Sequence, residues 1–218
     1  MSRLIVSLLL ALSLTHAAIA ADDIDKVNGS IHVSDNASAG KLSTVNGSIH
    51  VGANAHVRSA GTVNGGISVG DGATLDSLDT VNGGIHLAGN AHVNGKIEAV
   101  NGSITLARGD DVSGKVSNVN GSISLDATHV GGGIATVSGD ITVGADSRVE
   151  GGILVDEDHS WFHFGPVRKP RIVIGPHAVV QGTLTFKRPV ELYVSDSATI
   201  GKVDGATPVK FSGETAPK

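Results

Sequence analysis

Val27-Asn28-Gly29-Ser30-Ile31-His32-Val33 returns unchanged eighteen residues later as Val45-Asn46-Gly47-Ser48-Ile49-His50-Val51. It returns again from Val63, Val81, Val100 and Val119, and in worn form as Val137-Ser138-Gly139-Asp140-Ile141-Thr142-Val143. Periodicity of this kind outranks local propensity, because it marks one structural unit copied along the chain. The step is eighteen residues, stretched to nineteen twice, where Ala99 and Asn118 read as single insertions. Inside each step runs a beat of six, from Val27, Val33, Ala39, Val45, Val51 and Val57 on to Leu87 and Val93. The beat resumes as Val100, Leu106, Val112, then as Val119, Leu125, Gly131, Val137, Val143, Val149, with only Gly131 lacking an aliphatic side chain. Three hexads per step predict a coil of three short strands and three corners. The chain reads as all-β, a single-stranded, three-sided parallel β-helix with right-handed winding, its aliphatic beat lining the tube.

Side-chain alternation supports this reading. Ile31 and Val33 are two apart and share one side of a strand, with His32 opposite. Stacking then places Ile31, Ile49, Ile67, Ile85, Ile104, Ile123 and Ile141 in one interior column, and small Ala37, Ala55, Ala73 and Ala91 in another. A helix is excluded, because the period is six and glycine and β-branched residues are frequent. Asn28, Asn46, Asn64, Asn82, Asn101 and Asn120, each followed by glycine, form a structural ladder of stacked amides at a corner. The Asn-Gly pair suits the positive φ of a tight turn. About nine coils at about 4.8 Å each give a rod roughly 40–45 Å long.

Residues 1–20 read as a secretory signal peptide: Arg3, the apolar run Leu4–Leu12, and the small-x-small end Ala18-Ile19-Ala20. The apolar run is too short to span a bilayer. The mature chain is expected to start at Ala21 and to lie in the periplasm or outside the cell, without a transmembrane segment. There is no cysteine, hence no disulfide framework and no thiolate metal site. The formal charge of −5 becomes −6 when Arg3 leaves, which argues against a nucleic-acid partner. One solenoid domain is expected over 21–205, with 206–218 a polar tail or cap.

The beat fails after Val155. Residues 156–171 hold the only tryptophan and two of the four phenylalanines, and Pro166 and Pro170 exclude a central strand there. This reads as a loop inserted at one corner. Its Trp161, Phe162, His163 and Phe164 form either an interaction surface or a plug over an exposed edge. Coiling resumes at Ile172-Val173-Ile174-Gly175.

Histidines are the next chemical signal. His32, His50 and His86 share one outward column and His56 and His92 another, but a stable zinc site needs three or four ligands. Asp156, Glu157, Asp158, His159 and His163 have better ligand chemistry and no spacing signature. No catalytic, metal-binding or cofactor-binding residue is assigned, and the chain reads as no enzyme.

The repeated Val-Asn-Gly-Ser/Gly-Ile-x-Val/Leu resembles the exported adhesin-like β-solenoids of unknown function. The last coils, Ile172–Gly182 and Glu191–Gly201, resemble the bactofilins, polymer-forming scaffolds built as triangular β-helices. The resemblance implies a structural or adhesive role in the cell envelope and carries over no catalytic residue. Only Ala21–Lys26 precede the first repeat, so the first coil is expected to present an open edge for self-association, beside contacts to an envelope or surface partner. The competing class is a metal-binding protein or a hexapeptide-repeat enzyme. Ile174-Gly175-Pro176-His177-Ala178-Val179 resembles one repeat of the hexapeptide acyltransferases, whose γ-type carbonic anhydrase relatives bind zinc through histidines.

Overall fold

Parallel strands stacked one coil apart are the only regular structure of the described residues, 22–157 and 168–217 of this computed structural model. No helix there is long and apolar enough to cross a membrane. Residues 1–20 and the loop aromatics Trp161, Phe162, His163 and Phe164 lie outside the described residues.

Each coil contributes to three ladders. The first face starts with Ile31–Val33, pairs in register with Ile49–Val51 and continues through ten strands to Val209–Phe211. Ten coils at about 4.8 Å give a rod of roughly 45 Å. The second and third faces begin fused, as the nine-residue strands Ser38–Asn46, His56–Asn64 and Thr74–Asn82, which bend at one corner without breaking. From His92–Val93 and Ile97–Asn101 onward the two faces carry separate strands. The last strand, Val209–Phe211, comes from the segment read as tail or cap, and Phe211 is buried. Ile141 pairs directly with Ile172 and Ile153 with Leu184, so the strands on either side of the insertion stack in register.

The isoleucine column is continuous and buried. Ile31, Ile49, Ile67, Ile85, Ile104, Ile123, Ile141 and Ile172 are all buried. Ala55, Ala73 and Ala91 are fully buried on the second face, and Ala37 is half-buried against the same core. At about 25 cal/mol per Å² of apolar surface, these rows supply the main force holding coils together.

The phase of the beat on the third face is not the expected one. Val45, Val63, Val81, Val100 and Val119 are 38–40 % exposed and point outward. Their preceding neighbours Thr44, Thr62 and Thr80 point inward, together with Leu42, Ala60 and Leu78. One third of the hexad positions therefore line the outside. The reason is the bend at 40–41, which sets which alternate residue faces the core.

The two insertions also move. Ala99 pairs with Thr80 and with Asn118, so both residues are ordinary members of the inward row. The additional residue sits in the corner 94–96, because Leu75 aligns with Val93 while Leu78 aligns with Ile97. Further on, Val112 pairs with Val130 and Val130 with Val149, so Val130 holds the core position expected of Gly131. The corner between Leu125 and Val130 is one residue shorter than its predecessors.

The glycines of the asparagine corner are needed mainly for space rather than for positive φ. A Cβ on Gly65, Gly83 or Gly102 would stand 1.8–2.0 Å from the carbonyl oxygen of the glycine one coil earlier. The left-handed residues are at a different corner, where Asn36, Asn54, Asn90, Ala127, Asp146 and His177 have φ between 46° and 59°.

The threonine row makes a repeated inward hydrogen bond. Thr44, Thr62 and Thr80 donate from Oγ1 to the carbonyls of Gly29, Gly47 and Gly65 at 2.9–3.1 Å. Asn118 takes the same row two coils on, and its Oδ1 is buried without a hydrogen-bond partner. Replacing Asn118 by threonine is expected to raise stability by about 1–2 kcal/mol, the usual cost of one orphaned buried acceptor. Urea unfolding followed by circular dichroism measures the gain.

Candidate functional site

The outer surface is built from columns, each repeating one residue type per coil. At the corner between third and first faces the asparagine amides form a ladder. Nδ2 of Asn46, Asn64, Asn82, Asn101 and Asn120 each donates to Oδ1 of the asparagine one coil earlier, at 2.9–3.1 Å. Beside it runs the exposed valine column, from Val27 to Val119. Shallow hollows lie along the third face and its corner among the described residues. One of about 220 Å³ lies where Gly61 leaves a gap between Lys41, Asp79 and the valines. The others, about 330 and 340 Å³, adjoin Glu98, Lys115, Leu154 and Thr185.

On the first face His32 and His50 are in register with ring centroids 6.4 Å apart, and Ser68 separates them from His86. On the second face Thr74 separates His56 from His92. The second face then brings together a group that sequence reading missed. His92, Asp111, His129 and Arg148 are consecutive register partners, and Glu150 stands at the corner beside them. His129 Nδ1 lies 2.5 Å from Asp111 Oδ1 and its Nε2 3.4 Å from Glu150 Oε1, while His92 Nδ1 is 3.7 Å from Asp111 Oδ2. Both ring nitrogens of His129 thus face carboxylates. Spacings of nineteen, eighteen and nineteen residues hid this row, since it obeys no single period.

These groups stand on a flat outer face, and none of these hollows is lined by them. Among the described residues no three His, Asp and Glu side chains are placed to hold a metal ion. The loop group is only partly in view: Asp156 pairs with Lys187 at 3.0 Å, and Asp158, His159 and His163 lie outside the described residues. At the foot of the insertion Arg168 pairs with Asp140 at 2.5 Å, and Arg188 donates to the Val137 carbonyl and to Ser138 at 3.0 and 3.1 Å.

The carboxyl groups of Asp79 and Asp110 depart upward from their ordinary values. Burial is the main cause for Asp79, with Glu98, its register partner, adding repulsion. Burial is also the main cause for Asp110, which is 1 % exposed and takes the inward row held by alanines in earlier coils. The amides of Ala91 and Ala107 donate to Asp110 at 2.9 and 2.7 Å and oppose the rise without cancelling it. The folded state therefore binds this proton more tightly than the unfolded chain. Stability from Asp110 is greatest at low pH and declines as pH rises from about 4 through the raised value. Asp110→Ser keeps a hydroxyl acceptor for the Ala91 amide, as Ser147 does for Thr128 at 3.3 Å, and carries no charge. Its stability relative to wild type is expected to increase across that pH window, measured by urea titrations at several pH values.

Comparison with family models, curated proteins and solved structures returns no match to this chain.

Proposed function

We propose that the chain is a non-catalytic, exported structural or adhesin-like β-solenoid of the cell envelope, acting through its surface and through association between copies. The observation that carries this reading is the form of the exposed surface: valines and asparagine amides repeated coil after coil along one edge. A row of equal weak sites spaced about 4.8 Å apart favours extended or multivalent partners over a small molecule in a cleft. The signal-like residues 1–20 and the likeness to exported adhesin-like repeats support the location. Fractionating cells that express the chain with a C-terminal epitope, followed by N-terminal sequencing, tests it. The expected result is a chain beginning at Ala21 in the periplasm or medium, and an intact Met1 chain inside the cell would sink it.

A second reading, a metal-binding protein or hexapeptide-type enzyme using surface histidines, rests only on the pairwise contacts of Asp111 with His92 and His129, whose side chains are not placed together to hold a metal ion as they stand. Metal analysis of protein purified without a histidine tag decides between them. Stoichiometric zinc that disappears on His129→Ala would move the assignment to the second class.

A further inference from the structure

The two ends of the solenoid share a feature that the interior lacks. In Ile24–Asn28, the first strand of the third face, Lys26 is the register partner of Thr44. It heads the inward row that continues as Thr44, Thr62, Thr80 and Ala99, all buried. At the other end Lys210 is the register partner of Val194, the last buried residue of the row Val33, Val51, Val69, Leu87 and their successors, and it stands between exposed Val209 and buried Phe211. Both lysines are exposed. Lys26 lays its ammonium on the Ser30 carbonyl at 2.7 Å, across the corner of the end coil. Two residues before Lys210, where the isoleucine column would continue past Leu192, stands Pro208, which has no N–H to offer. In the inward register positions between these ends, lysine does not occur among the described residues.

A charge in an inward register position and a proline at an edge are devices that stop strand addition. We propose that Lys26 and Lys210 are stop residues that prevent end-to-end stacking, so that copies of this protein meet through their sides and not through their coil edges. In a head-to-tail junction the last coil of one copy would take the place before the first coil of the next. Lys26 and Lys210 would then both be carried into a junction beside aliphatic rows, where Asp110, the buried carboxylate of the inward rows, lies several coils away from either end. Without them the register suits continuation, because Ile31, His32 and Val33 repeat the residues stacked beneath them. The inference rests on removal of residues 1–20, since these precede the first coil.

The test uses protein exported with its own leader, recovered from the periplasm or medium and checked to begin at Ala21, which keeps failure of the export reading separate. Sedimentation velocity over a hundredfold concentration range and negative-stain microscopy read mass and particle length. The wild type is expected to stay one solenoid long, and side-by-side pairs leave that length unchanged. The double variant Lys26→Thr with Lys210→Val restores the row residues at both ends, and its particles are expected to lengthen several-fold with concentration. Lys26→Arg with Lys210→Arg keeps both charges and is expected to stay short. Wild-type rods many coils long overturn the proposal. So does a double variant that melts like wild type and never lengthens.

Discussion

Gly102→Ala is expected to destabilise the protein by about 3–5 kcal/mol, among the largest losses a single methyl group can cause. The added Cβ would stand 1.8 Å from the Gly83 carbonyl oxygen and 2.4 Å from its carbon, well inside van der Waals contact. Neither atom can yield cheaply, because both belong to backbone held in the ladder by its neighbours; the Gly102 amide itself donates to the Asn120 carbonyl at 2.9 Å. The strain falls between the fourth and fifth coils. Solenoid stability is roughly a sum of coil terms and nearest-neighbour interfaces, so one bad interface divides the rod. Thermal unfolding should fall in midpoint and broaden or split, and hydrogen exchange should accelerate first near Asn82–Asn101. Gly84→Ser is the control. Its Cβ would meet the Ser103 carbonyl oxygen at 3.1 Å, and Ser30, Ser48, Ser103 and Ser122 already occupy that position in other coils. It is expected to cost less than about 0.5 kcal/mol, as for a substitution away from any strained contact. Equal melting of the two variants would remove the steric account of the glycine column.

Leu78→Ala is expected to cost about 2–5 kcal/mol, whereas Val81→Ala, three residues on in the same strand, is expected to cost under about 0.5. Leu78 is fully buried between Ala60 and Ile97, so its truncation leaves a cavity that the stacked backbone cannot collapse to fill. Val81 is 39 % exposed, and its methyl groups leave the outer valine column without opening a void. Urea unfolding of the two variants in parallel measures the contrast. If Val81→Ala proved as damaging as Leu78→Ala, the third face would be turned the other way round. The same pair tests the proposed surface role, under which losing exposed valines weakens binding to a partner while leaving the melting temperature nearly unchanged.

The repeat and its consequence were legible from the residues alone. A strand turns every second side chain inward, three corners close a coil, and the Ile31 to Ile141 column follows from the covalent spacing. The amide column at Asn28 to Asn120 was legible for the same reason. The phase of the third face was not, since one bend at 40–41 determines whether Thr44 or Val45 points in, and aliphatic character alone chose wrongly. Nor could sequence locate the extra residue at 94–96, because a corner absorbs it silently and only strand pairing shows where register is regained. The His92–Asp111–His129 row and the register positions of Lys26 and Lys210 belong to the same class. Local sequence encodes alternation and turns, which act between near neighbours along the chain. Which residues stand side by side one coil apart is decided by packing, because close-packed rows and hydrogen-bonded ladders tolerate only one register.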